Sequence, residues 1–119
     1  MFVVGGTFAL LVLLTPHVNS TNKFPVPDKK GKMTSSWFKH QFETTNDIAL
    51  NNWVSRNIMG NFNFHLAHHL FPKLNSCYLP EVTKEIKKYS QLNNLDYREI
   101  SLVNAFKSHF DLIKQNAKN

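Results

Sequence analysis

A chain of 119 residues and 13.8 kDa has room for one small core, which excludes an intact large enzyme. Hydrophobic residues at 42% and aromatics at 13%, with ten Phe, exclude disorder over the whole length. The excess of 14 Lys and Arg over 8 Asp and Glu gives +6 and asks for an anionic partner, while the single Cys77 excludes an internal disulfide and a cysteine-built zinc site, so any metal must be held by histidine or oxygen.

Phe2 to Leu14 carries no charge. As a helix, Met1 to Thr15 rises only about 22 Å against a hydrocarbon core of about 30 Å. Residues 1–18 are therefore expected to be the end of a transmembrane helix that begins before Met1 and closes at Pro16, His17 and Val18. A signal peptide is the competing reading, with Leu10 to Leu14 as its apolar region and Val18-Asn19-Ser20 as a cleavage site. It lacks the basic leader, and Lys23, Lys29, Lys30, Lys32 and Lys39 all follow the apolar run, which places the downstream part in the cytoplasm. Asn19-Ser20-Thr21 has the form of a glycosylation sequon and reads as a chance match on that side of a membrane.

Residues 19–33 hold Pro25, Pro27 and Gly31 among lysines and are expected to form an extended cytoplasmic linker. From Thr34, with Ser35 or Ser36 as cap, Trp37, Phe38, Phe42, Ile48, Leu50 and Trp53 predict a long helix to about Arg56. His40, Thr44 and Asp47, four and three apart, would then share one stripe, which taken alone reads as a solvated face.

Gly60 marks a break, and His65-Leu66-Ala67-His68-His69 follows it. On a helix the three imidazoles stand at i, i+3 and i+4 and converge on one side, with Asn61 and Asn57 continuing the stripe backwards. Surrounded by Phe62, Phe64, Leu66, Leu70 and Phe71, three uncoordinated imidazoles would cost several kcal/mol unless each found a partner. Neutral imidazoles suit zinc or iron, whereas calcium and magnesium want carboxylates. The spacing lacks the glutamate of His-Glu-x-x-His zinc proteases.

These residues, with Leu70-Phe71-Pro72 after them and Gly60, Asn63 and Phe64 before, resemble the third histidine box of the membrane fatty acid desaturases, nearest the linoleoyl-CoA or front-end branch. His40-Gln41 with Thr44-Thr45 and Asn46-Asp47 resembles that family's His-Gln-x-x-Thr-Thr segment, Trp53 falls where a tryptophan precedes the box, and Tyr78-Leu79-Pro80 resembles its continuation. His17-Val18 with Phe24-Pro25 resembles the stretch that closes the last membrane helix. His65 stands where front-end members usually carry glutamine, and Ala67 where an acidic residue is common. The resemblance implies an integral membrane enzyme whose histidines face the cytoplasm and hold a di-iron centre. That centre uses oxygen and electrons from a cytochrome b5 or ferredoxin type donor to introduce a double bond into a fatty acyl chain. It implies iron ligation by His65, His68 and His69, with His40 as a further ligand, and supporting roles for Asn61, Asn63 and Asp47. The family's first two boxes have no counterpart in these residues, so a carboxyl-terminal piece, inactive by itself, is expected.

Residues 34–72 thus form the His-bearing helices and 73–119 a helical cap. In the cap, Pro80 opens a helix over Glu81 to about Gln91, Asn93-Asn94 turns, and Asp96 with Glu99 gives a capping box for a last helix to about Gln115. Its stripe of Ile100, Val103, Phe106, Phe110 and Ile113 should pack on a neighbour, with His109 beside it as a packing or surface residue. The expected class is all-α. A small membrane-anchored or secreted zinc-histidine protein would use the same triad, and a nucleic-acid module is disfavoured because the lysines are scattered among acids with no dense arginine patch.

Overall fold

The computed structural model describes residues 16–117. The expected membrane segment over residues 1–15 lies outside them, and among the described residues no helix is long and apolar enough to cross a membrane. The described chain is mostly helical, with one correction to the all-α expectation: a two-residue parallel pair.

Helix α1, Trp37–Thr44, starts where Ser36 accepts a hydrogen bond from the Lys39 amide and stops at Thr45, which is extended. The helix predicted to reach Arg56 therefore ends twelve residues early. The cause is tertiary. Strand β1, Asp47–Ile48, pairs with β2, Glu99–Ile100, in parallel register, the Asp47 amide donating to the Arg98 carbonyl at 3.0 Å and the Ala49 amide to that of Ile100 at 2.8 Å. On its other side the Ile48 amide donates to the Asn63 carbonyl at 3.0 Å. With its amides taken on both sides, this stretch cannot also be helical.

Helix α2, Trp53–Asn57, opens on a capping box between Asn52 and Ser55. Gly60 and Asn61 then take left-handed φ of 56° and 62°, which reverses the chain and ends the helical stripe expected through Asn57 and Asn61. Helix α3, His65–Leu70, follows, and a short 3-10 turn, Ser76–Tyr78, leads into α4, Leu79–Leu92, with Pro80 in its first turn. Asn94 at φ 52° makes the next turn. Helix α5, Leu102–Asn116, is capped by Ser101, whose hydroxyl accepts from the Asn104 amide at 3.2 Å. This displaces the expected Asp96/Glu99 box: Glu99 lies in β2 and pairs with Lys87, and Asp96 lies beside Arg98.

Helix α3 sits in the middle, between α1 and α4. Phe42, Phe64, Leu66, Ala67, Leu79 and Ile86 make the buried core, flanked by Phe38, Leu74, Val82 and Tyr97. Of the stripe on α5, Ala105 is buried but Val103, Phe110 and Ile113 are exposed. That helix docks through polar contacts instead, His109 Nδ1 to the Val18 carbonyl at 2.5 Å and Ser108 to Ser20. Residues 16–22, expected to be partly linker, are packed: Asn22 donates to the Pro16 and His17 carbonyls, Asn46 donates to Thr21, and Arg98 reaches the Thr21 and Phe42 carbonyls. The knot fixes where His17 stands.

Candidate metal centre

His17, His65 and His69 meet, each offering one nitrogen, with all three nitrogens within 4.8 Å of one another. His17 Nε2 lies 2.7 Å from His65 Nε2 and 3.1 Å from His69 Nε2. His65 and His69 come from successive turns of α3, as the i, i+4 spacing requires. His17 arrives from 48 residues upstream.

Hydrogen bonding dictates which nitrogens carry protons. His65 Nδ1 lies 3.1 Å from the Phe62 carbonyl, which can only accept, so in the neutral ring Nε2 holds a bare lone pair. His17 Nε2 stands against both other rings, and one shared proton can satisfy only one of its two contacts, at 2.7 Å to His65 and 3.1 Å to His69. Burial, followed by the charges of His17 and His69, pulls His65 down to about 3, and burial followed by His17 pulls His69 down to about 4, so both rings are neutral near pH 7. Neutral, converging imidazole nitrogens, with His65 oriented from behind by the Phe62 carbonyl, form a donor set for a zinc- or iron-like cation.

The residues singled out from sequence are brought together only in part. His68 turns aside from the triad, its ring edge-on to Phe62 at 5.0 Å and about 6 Å from the rings of His65 and His69. His40 lies on α1, and among the described residues its buried Nδ1 has no hydrogen-bond partner. Asp47 does not share a helical stripe with His40: it is on β1, 1% exposed, with Oδ1 accepting from the Leu66 amide at 2.8 Å and Oδ2 from the Tyr97 hydroxyl at 2.5 Å. Burial, opposed by those hydrogen bonds, pushes its carboxyl up to about 6. Asn63 donates to the Leu50 carbonyl at 2.6 Å and Asn61 to that of Ser76 at 3.0 Å, so both shape the loop that leads into α3. His17 was not among the expected ligands. Its one sequence signal is a histidine directly after the proline that closes an apolar run.

Comparison with known proteins converges with this geometry. The family model described as fatty acid desaturase matches residues 1–101. The chain is similar to an acyl-lipid (8-3)-desaturase of Mortierella alpina, 27% identical over 94% of this chain and 25% of the relative. It is also similar to a delta(8)-fatty-acid desaturase of Borago officinalis, 34% identical over 75% of this chain and 20% of the relative. A third relative, delta(8)-fatty-acid desaturase 1 of Arabidopsis thaliana, is 33% identical over 84% of this chain and 22% of its own length. The chain thus spans about a fifth to a quarter of the length of these curated relatives. No solved structure matches. With residues 1–101 of its 119 matched by the family model, the chain belongs to the fatty acid desaturase family.

Proposed function

We propose that the chain contributes iron-binding histidines to the oxidative centre of a desaturase that inserts a double bond into a fatty acyl chain. The observation that carries this reading is the convergence of His17, His65 and His69, whose nitrogens all lie within 4.8 Å of one another. His17, His65 and His69 would hold an iron there, which would supply oxygen-dependent oxidative chemistry toward an acyl C–H bond. The chain's own residues prepare for it: the Phe62 carbonyl fixes the ring face of His65, Asn22 holds the backbone of Pro16 and His17, and burial keeps His65 and His69 free of protons at neutral pH. His40, with its buried and unpartnered Nδ1, and His68, beside the triad, are proposed as donors to a second ion. Asn61, Asn63 and Asp47 support the loop and first turn that present His65.

The same reading places the protein in a membrane with this region on the cytoplasmic side, next to lipid and an electron donor of cytochrome b5 or ferredoxin type. Residues 1–18 would close a membrane helix, 34–72 bear the histidines and 73–119 cap them. Three imidazoles and two outlying histidines are too few donors for a complete di-iron site, so we propose that the 119-residue chain binds metal without turning over substrate. Anaerobic iron loading of the purified chain, followed by metal analysis and an acyl desaturation assay, tests this. Bound iron that is lost in His17→Ala, with no product formed, is the expected result. Absence of iron binding overturns the metal reading, and turnover by the chain alone overturns its incompleteness. One zinc retained in preference to iron would favour the zinc-histidine alternative.

A further inference from the structure

Helix α3 begins without a cap of its own: Phe64 precedes it and offers no side-chain hydrogen bond to its first amides. The missing acceptor comes from elsewhere. Asp47, 19 residues upstream, accepts the Leu66 amide at 2.8 Å, and Leu66 is the residue next to His65. A buried carboxylate at a helix start needs its remaining oxygen satisfied, and no cation pairs with Asp47 among the described residues. That oxygen is instead held by the Tyr97 hydroxyl, from 50 residues downstream. Tyr97 adjoins Arg98, whose carbonyl receives the Asp47 amide, and β1 in turn receives α3's lead-in through Ile48 and Asn63. One hydroxyl therefore ties residues 97–100 to the turn that presents His65. His17 is held by Asn22, whose side chain donates to the Pro16 and His17 carbonyls.

We infer that Tyr97, acting through the Asp47 carboxylate, is a positioning residue for the histidine triad, holding the first turn of α3 in the register at which His65 and His69 face His17. The inference rests on the metal reading above. Tyr97 touches none of the three rings, and its effect is on where they stand.

The test is an anaerobic Co²⁺ titration of the full chain, with cobalt as a visible-absorbing stand-in for iron, in wild type, Tyr97→Phe, Asp47→Asn and Ser101→Ala. Loss of a hydrogen bond made directly to a ligating histidine weakens metal binding by about 10- to 100-fold, which bounds from above a residue acting through Asp47 and a helix amide. Tyr97→Phe is expected to weaken binding by about 10-fold, the low end of that range, and to change the shape of the cobalt visible bands, which loss of fold stability alone would not do. Asp47→Asn keeps an oxygen for the Leu66 amide but turns the acceptor of the Tyr97 hydroxyl into a donor, and it should show a smaller loss. Ser101→Ala removes the α5 cap, two turns before the Ser108 and His109 contacts to residues 18–20, and should leave affinity within about twofold. Cobalt binding by Tyr97→Phe as tight as by wild type overturns the inference. Should that variant fail to fold, unchanged binding by Asp47→Asn overturns it. Equal weakening by Ser101→Ala overturns it too, because the effect would then be general destabilisation. Wild type that binds no cobalt removes the metal reading and this inference together, whereas failure of the inference alone leaves wild-type binding intact.

Discussion

Two buried groups at the start of α3 titrate in opposite directions, and removing one should expose the other. In the metal-free chain burial pulls His65 from 6.5 down to about 3 and pushes Asp47 from 3.8 up to about 6. Below pH 6.5 the unfolded chain takes up a proton on His65 that the folded chain refuses, so stability present above that pH is lost as the pH falls toward 3. Asp47 works the other way: the folded chain binds a proton near pH 6 that the unfolded chain takes only near 3.8, so stability is regained over that interval on acidification. At about 1.4 kcal/mol per pKa unit, each effect amounts to about 3 kcal/mol by pH 4. They nearly cancel, which leaves His69, lowered to about 4 in the same sense as His65, to cost wild type about 2–3 kcal/mol between pH 6.5 and 4. Asp47→Asn removes the compensating group and should lose about 3 kcal/mol more than wild type over the same interval. Urea denaturation followed by circular dichroism, with chelator present, reads both profiles. An Asp47→Asn profile that falls no more steeply than wild type would refute the reasoning, since the two groups could not then be titrating against each other inside the fold.

Three stability predictions follow from other parts of the structure. Leu66 is 1% exposed in the central cluster, so Leu66→Ala should cost about 2–5 kcal/mol, measured as a fall in denaturation midpoint at constant slope. Gly60 sits at φ 56°, but a Cβ there would meet the Phe62 ring only at an ordinary 3.7 Å, so Gly60→Ala should cost about 1–2 kcal/mol from backbone strain alone. A cost well above that would reveal a clash the geometry does not contain. Ser101→Ala should cost about 1 kcal/mol through loss of the α5 cap, while alanine at Asp96, the sequence-expected cap, should be close to neutral in the same thermal melt.

How much of this could be read from sequence depended on whether the deciding partner was local. The start of α4 was legible because Pro80 acts within its own turn, and the pairing of His65 with His69 because i, i+4 neighbours on a helix need nothing else. The end of α1 was not legible: Thr44 to Ile48 fit a helical pattern, and only a strand 52 residues away claims the backbone of Asp47. Asp96 and Glu99 have the spacing of a capping box, but β2 takes Glu99 first. At the metal centre the box named the right helix and two of the three converging rings. It also nominated His68, which a rotation of one residue from His69 turns toward Phe62, and it gave no hint of His17. A ligand delivered by chain folding rather than by helical spacing leaves no periodic trace.

The same long-range closure has a consequence for the order of events during synthesis. His17 meets His65 across 48 residues, and Asp47 meets Tyr97 across 50. Closing a flexible loop of that length costs about 3 kcal/mol in chain entropy before any contact rewards it, and folds dominated by such contacts form slowly. The upstream histidine must therefore wait for the box, and the box for the segment that braces it. A ribosome that has made residues 1–90 has already translated all three converging imidazoles, but not the tyrosine that secures the helix bearing two of them. The geometry that gathers the three imidazoles is thus completed only after residues 97–100 have joined the fold, so the pocket closes around donors that already exist.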